Sequence, residues 1–164
     1  MELERPSVAD VYAAHRLGLV RLAILLVDDL PTAEDVVQDA FAGLVGRLGA
    51  GTDVNNLLSY LRKAVVNNAG SALRRRRVAR NYVAPHQPAH GGPEGEAVLA
   101  EEHREVLTAL RKLSQRQREV VVLRYWADMS EAEIAETLGI SRGAVKSTAS
   151  RALVAIHEQL GLAV

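Results

Sequence analysis

Three of the chain's five prolines, Pro85, Pro88 and Pro93, fall in one short stretch with Gly91, Gly92 and Gly95. Proline removes a backbone donor and glycine raises the entropy of ordering, so neither suits the interior of a helix or strand. The segment Asn81–Gly95 also carries few large apolar groups. It is expected to be a flexible linker. It divides the 164 residues into a unit at 1–80, a linker at 81–96 and a unit at 97–164. Units of that size bury a modest share of their surface and gain from docking on a partner.

Periodicity then sets the class. Hydrophobic residues make up 48% of the chain but only six are aromatic, a profile that suits Leu-, Val- and Ala-built helices better than a β-sandwich. No segment alternates with period two. The first unit reads as three helices. Ser7 caps the first, with Val8, Val11, Tyr12, Leu19, Leu22, Ala23 and Leu26 at helical spacing. Pro31-Thr32 starts the second, where Thr32 and Asp35 resemble a capping box and Val36, Val37, Ala40, Phe41, Leu44 and Leu48 form the buried stripe. Gly49-Ala50-Gly51 ends it. The third runs from about Asn56 to Arg80, with Leu57, Leu61, Ala64, Val65, Ala69 and Leu73 inward. Gly70 sits in its middle, where glycine costs about 1 kcal/mol relative to alanine. The second unit reads as four helices, near Ala97–Lys112, Gln115–Trp126, Glu131–Leu138 and Arg142–Leu160. The expected fold is all-α, two small helical domains.

The formal net charge is zero, but its distribution is uneven. Tyr60–Arg80 holds seven basic residues and no acid; Asp28–Asp39 holds five acids and no base. One basic and one acidic block suggest two different partners. There is no cysteine, which excludes disulfides and cysteine zinc sites. The first residues lack a basic-then-apolar signal pattern, and the apolar run Leu17–Val27 is broken by Arg21 and too short to span a bilayer. A cytoplasmic protein without membrane insertion is expected.

The strongest local pattern begins at Ser130. Ser130 and Glu133 form a capping box, Ile134, Ala135 and Leu138 an apolar face, and Gly139 a helix stop. Ile140 plugs the space between two helices and Ser141 caps the second. On that helix Val145, Ala149, Ala152, Leu153 and Ile156 share one face; Arg142, Gly143, Lys146, Ser147 and Ser150 share another, with Arg151 at its edge. Short polar and basic residues near a helix N-terminus are what a recognition helix brings to a major groove. The spacing of cap, glycine and anchor favours a DNA-binding helix-turn-helix over an αα-hairpin with a merely solvated outer face.

The run Leu113–Tyr125 (LSQRQREVVVLRY), continuing through Met129–Ser141 and Ala144–Ser147, resembles region 4 of extracytoplasmic-function sigma factors. Glu34–Phe41 (EDVVQDAF) resembles the region 2 segment that docks on the RNA polymerase core, and Tyr60–Asn67 with the following arginines the segment that engages the promoter −10 element. The resemblance covers about Val11–Arg80 and Val106–Leu160. It implies that Arg142, Gly143, Lys146, Ser147, Ser150 and Arg151 read the −35 element. It implies Tyr60, Arg62, Lys63, Asn67, Arg74, Arg75, Arg76 and Arg77 at the −10 element. It implies Glu34, Asp35, Gln38, Asp39 and Phe41 at core polymerase. An anti-sigma factor is the further partner it implies. On the residues alone, Asn67 either holds a flipped base or bonds its own helix, Tyr60 either stacks or packs, and the acids on the second helix either meet a partner or are solvated. Val45 stands where the family commonly has tryptophan and Thr148 where many members have arginine or histidine, so core contact and base preference do not carry over at those two positions.

Two other classes fit the residues less well. A helix-turn-helix regulator without polymerase function would need another account of the N-terminal unit, which lacks the strand–helix alternation of a receiver. An enzyme would need a phosphate-binding glycine loop, a metal-spaced histidine cluster or a nucleophile motif, and none is present. His86 and His90 lie close together, but in the linker. No cofactor or metal is expected.

Overall fold

The computed structural model describes residues 5–51, 54–82 and 104–161. Most of the expected linker, with His86 and His90, lies outside them, as does the 97–103 part of the fourth expected helix. Among the described residues there are helices and no strand.

The N-terminal unit packs α1 (Val8–Val27), α2 (Leu30–Gly49) and α3 (Leu57–Tyr82) pairwise against one another. Ser7 caps α1 in a full capping box with Asp10. Between α1 and α2 only Asp28 and Asp29 intervene. Asp28 takes a left-handed conformation, φ 74°, a region that Asp tolerates better than most residues. Asp29 is the N-cap of α2: its Oδ1 accepts the Thr32 N–H at 2.9 Å. This corrects the expected start. Thr32 lies inside the first turn, and Pro31 precedes it where a missing N–H costs nothing. Asn56 caps α3 by accepting the Ser59 N–H at 3.0 Å.

The core of this unit holds Val27, Val37, Leu44, Leu61 and Val65, all fully enclosed. Val66 and Ala72 extend the inward face of α3 beyond the expected set, while Leu57, Ala64 and Leu73 sit at its margin. Gly70 is buried without need: a Cβ there would meet only the end of Arg74, at 3.6 Å. Gly70→Ala is therefore expected to stabilise the unit by about 1 kcal/mol, read as a raised melting temperature.

The C-terminal unit comprises α4 (Arg104–Lys112), α5 (Gln115–Val121), α6 (Glu131–Leu138) and α7 (Arg142–Leu160). α5 does not continue as an α-helix to Trp126. It widens into a π turn, Val122–Trp126, where the Ala127 N–H donates to the Val122 carbonyl at 3.0 Å. The Met129 N–H then donates to the Leu123 carbonyl. Val120, Leu123, Ile134 and Val145 form the enclosed centre.

Residues Leu22–Val27 of α1 are buried consecutively, on every side of the helix. A helix apolar all round must be covered all round. α2 and α3 cover part of it; the rest lies against the π turn and α5 of the second unit. The two units are thus docked, and α3 also meets α6.

Candidate nucleic-acid interface

The helix-turn-helix is assembled by bonds between residues only a few positions apart. The Glu133 N–H donates to Ser130 Oγ at 3.1 Å, and the Ser130 N–H donates back to Glu133 Oε2 at 2.7 Å. The Ser130 backbone N–H first, and then its side chain, hold the Glu133 carboxyl below its usual range, with a smaller contribution from Arg62. Gly139 ends α6 at φ 67°, a left-handed value that glycine adopts without Cβ strain. The Ile140 N–H donates to the Ala135 carbonyl at 3.1 Å, and Ile140 packs on the core. Ser141 Oγ accepts the Ala144 N–H at 3.0 Å and starts α7.

Burial divides α7 into two faces. Val145, Thr148 and Ala152 are buried, with Ala149, Ala155 and Ile156 beside them. Arg142, Gly143, Lys146, Ser147, Ser150 and Arg151 lie away from that stripe, as their spacing predicts, and all six are exposed. Thr148 is only 7% exposed. Its position falls on the same stripe as Val145 and Ala152, so it packs inward. Ser147 Oγ donates to the Ala144 carbonyl at 3.3 Å. The amides of the first turn of α7 also favour a phosphate there.

On α3 the eight candidate residues separate. Asn67 is exposed and makes no side-chain hydrogen bond within the described residues, so the helix-bonding alternative falls away. Its neighbour Asn68, which no sequence pattern marks, donates to the Val36 carbonyl at 3.3 Å and ties α3 to α2. Tyr60 packs: Arg47 lies 5.4 Å over its ring, and its hydroxyl sits 3.3 Å from where a Cβ on Gly43 would be. Glycine at 43 leaves α2 open to that approach. Arg74 donates to Ser71 Oγ, and Arg75 is exposed.

Arg76 departs from the expectation. Its Nη1 donates to the Val27 carbonyl at 3.0 Å, and its Nη2 contacts both Asp29 and Thr32. It closes the α1–α2 corner from 47 residues away. Both of its Nη groups are engaged inside the unit, where it acts as a structural clamp in place of the expected open phosphate contact. Burial alone would raise the Asp29 carboxyl, but the Thr32 N–H and the Arg76 and Thr32 side chains outweigh it and hold Asp29 below its usual range.

Glu34, Asp35, Gln38 and Asp39 lie along the outer side of α2, with Glu34 at 3.9 Å from Arg16. Phe41 is not among them: it is buried at 6% exposure, edge-on to Tyr12 at 4.9 Å. Its family-like position therefore contributes to the core of this chain. Val45, one turn further on, is 54% exposed.

Among the described residues no group of three or more His, Cys, Asp or Glu is placed to hold a metal, and no helix is long and apolar enough to cross a membrane.

Two family models match the chain: Sigma-70 region 2 over residues 11–85 and Sigma-70 region 4 over residues 103–156. An RNA polymerase sigma-E factor of Streptomyces coelicolor is 36% identical, across 87% of this chain and 80% of the relative. The ECF RNA polymerase sigma factor SigL of Mycobacterium tuberculosis is 31% identical, across 93% of this chain and 89% of its own length. Among solved structures, the sigma factor RpoE of Bartonella quintana, in complex with the anti-sigma factor NepR, superposes with a TM-score of 0.72 at 26% identity, covering 94% of this chain and 99% of that one. CnrH in complex with the cytosolic domain of CnrY gives 0.66 at 26% identity, covering 94% and 87%.

Proposed function

Because the chain belongs to the extracytoplasmic-function sigma factors, which direct promoter-specific initiation by RNA polymerase, we propose that its two units divide the promoter between them. α7 reads −35 DNA in the major groove with Arg142, Lys146, Ser147, Ser150 and Arg151, while Gly143 lets the backbone come close to a phosphate. α3 engages the −10 element: Asn67 holds an unstacked base, and Arg62, Lys63, Arg74, Arg75 and Arg77 follow phosphates. Glu34, Asp35, Gln38 and Asp39 on α2 dock on core polymerase, in the cytoplasm. An anti-sigma factor is a further partner, as in the RpoE–NepR complex.

The observation that carries this reading is the split of α7 into a buried apolar stripe and an outer polar, basic stripe near the helix start. A solvated hairpin needs no such concentration of short donors. Run-off transcription with core polymerase over a library of genomic promoters tests it. Initiation at a dedicated class of promoters sharing −35 and −10 sequences is the expected result; no initiation above core alone would refute it. Replacing Arg74, Arg75 and Arg77 with alanine should weaken binding across all promoters and flatten its salt dependence. The slope of log affinity against log salt should fall by about one for each phosphate that is no longer neutralised.

A further inference from the structure

Where α5 lies against α1 and α3, the seam between the two units holds a cleft of about 210 Å³. Its floor is apolar. Leu26 of α1 and Val66, Ala69 and Leu73 of α3 form it, and Gly70 adds no side chain. Its rim is cationic: Arg77 and Arg80 stand on α3, and Arg118 on α5. Neither Arg80 nor Arg118 belongs to the promoter-facing sets.

These three guanidinium groups have no carboxylate partner. Arg76, the fourth arginine of the cleft, is paired with Asp29. Glu119 is the one acid among the described lining residues, and both of its oxygens are engaged: Gln115 Nε2 donates to Oε1 at 3.0 Å and Arg116 Nη1 to Oε2 at 3.2 Å. Arg77 donates to the neutral Gln115 Oε1 at 2.8 Å. Arg80 is exposed and makes no ion pair or hydrogen bond among the described residues. It lies three residues from Arg77, close enough on a helix for like charges to repel. Arg118 is half-buried; its Nε and Nη2 donate to the carbonyls of Leu110 and Arg111, each at 3.0 Å, and its Nη1 is left over. Burial pulls the Arg118 guanidinium below its usual pKa; Asp28 opposes that and the charge of Arg111 adds to it. An anion in the cleft would offset this cost and the repulsion between Arg77 and Arg80 together.

We propose that this cleft binds a nucleotide carrying two or more phosphates, with its base on the apolar floor and its phosphates among Arg77, Arg80 and Arg118. The two halves of the lining select that class. Three guanidinium groups without carboxylates call for more than one negative charge, and a guanidinium matches phosphate oxygens in paired hydrogen bonds. A floor of aliphatic side chains offers those oxygens nothing, but it accepts the face of a ring. Pockets that enclose a whole small-molecule ligand run to about 300–1,000 Å³, so this smaller cleft takes one part of a nucleotide and leaves the rest at its mouth. The exposed Arg77 and Arg80 are placed to meet that charged remainder.

Isothermal titration of the full chain with ATP in magnesium-free buffer tests the site. Saturable binding of one ATP per chain is the expected result. Adenosine and inorganic pyrophosphate each supply half of the chemistry and should bind at least about tenfold more weakly. Arg80→Ala should weaken ATP binding about fivefold or more. Lys112→Ala removes an equal charge, exposed on α4 outside the cleft, and should change the affinity by less than about twofold. Neither side chain bonds within the described residues, so both variants should melt with the parent by circular dichroism. Pyrophosphate that binds as tightly as ATP would overturn the nucleotide assignment. Equal losses from the two variants would reveal a general attraction to a basic surface and overturn the cleft as its seat. No saturable ATP binding up to about 1 mM would overturn the site outright.

Discussion

Arg76→Ala should destabilise the N-terminal unit by about 2 to 3 kcal/mol, while Arg75→Ala, one residue away in the same arginine run, should stay within about 0.5 kcal/mol of the parent. The difference follows from where the guanidinium donors go. Arg76 satisfies the Val27 carbonyl at the end of α1 and the Asp29 carboxylate that caps α2. Its removal leaves an acid whose side chain is only 15% exposed beside an unpaired carbonyl. The loss is held below that of a fully buried pair because the Arg76 side chain is itself 36% exposed. Chemical denaturation of the two variants measures the contrast; equal stability would show that the clamp does not hold the corner.

The same pair sets a pH dependence. Asp29 has a folded pKa below its unfolded value, so it contributes stability above the ordinary aspartate range near 3.9. That contribution is lost as pH falls through the lower folded value. Arg76→Ala removes part of the cause. The stability gap between parent and variant should therefore be full at neutral pH and shrink below about pH 4.

The second large effect lies on DNA. Arg142→Ala with Lys146→Ala should reduce affinity for −35 duplexes by at least about 30-fold, since each specific side-chain contact is worth about 1 to 3 kcal/mol. Both side chains are exposed and neither caps a helix, so folding stability should not change. Fluorescence anisotropy with a selected promoter duplex reads the affinity, and circular dichroism melting checks the fold. A double variant that binds as tightly as the parent would remove α7 from the −35 assignment.

The features legible in the sequence are those whose two ends lie within a turn of each other. The Ser7 cap, Ser130 with Glu133, and the Gly139–Ser141 turn each act over three residues or fewer, and the structure shows each in place. The start of α2 is ambiguous in the sequence because Asp29 and Thr32 both have capping side chains. What separates them is Pro31, which fits inside the first turn and so lets the helix begin before Thr32.

Longer-range partners leave no local signal. Nothing around Arg76 distinguishes it from Arg74, Arg75 and Arg77; its partners are 44 to 49 residues away. Asn68 differs from Asn67 only by the turn of roughly a hundred degrees that aims it at Val36. Thr148 reads as polar, yet its methyl group suits the stripe between Val145 and Ala152. Phe41 fits both a core and a docking role by its sequence position, and packing against Tyr12 assigns it to the core. Docking of the two units is equally hidden, although the unbroken apolar run Leu22–Val27 already demands cover on every side.

The π turn that closes α5 has an optical consequence. Trp126, the only tryptophan of the chain, stands at its end, 48% exposed, on the segment that packs against α1. All indole emission of the protein thus originates within a few residues of the seam. Its wavelength and quenching report the packing of the π turn on α1 without any label, in the free chain and during titration with promoter strands.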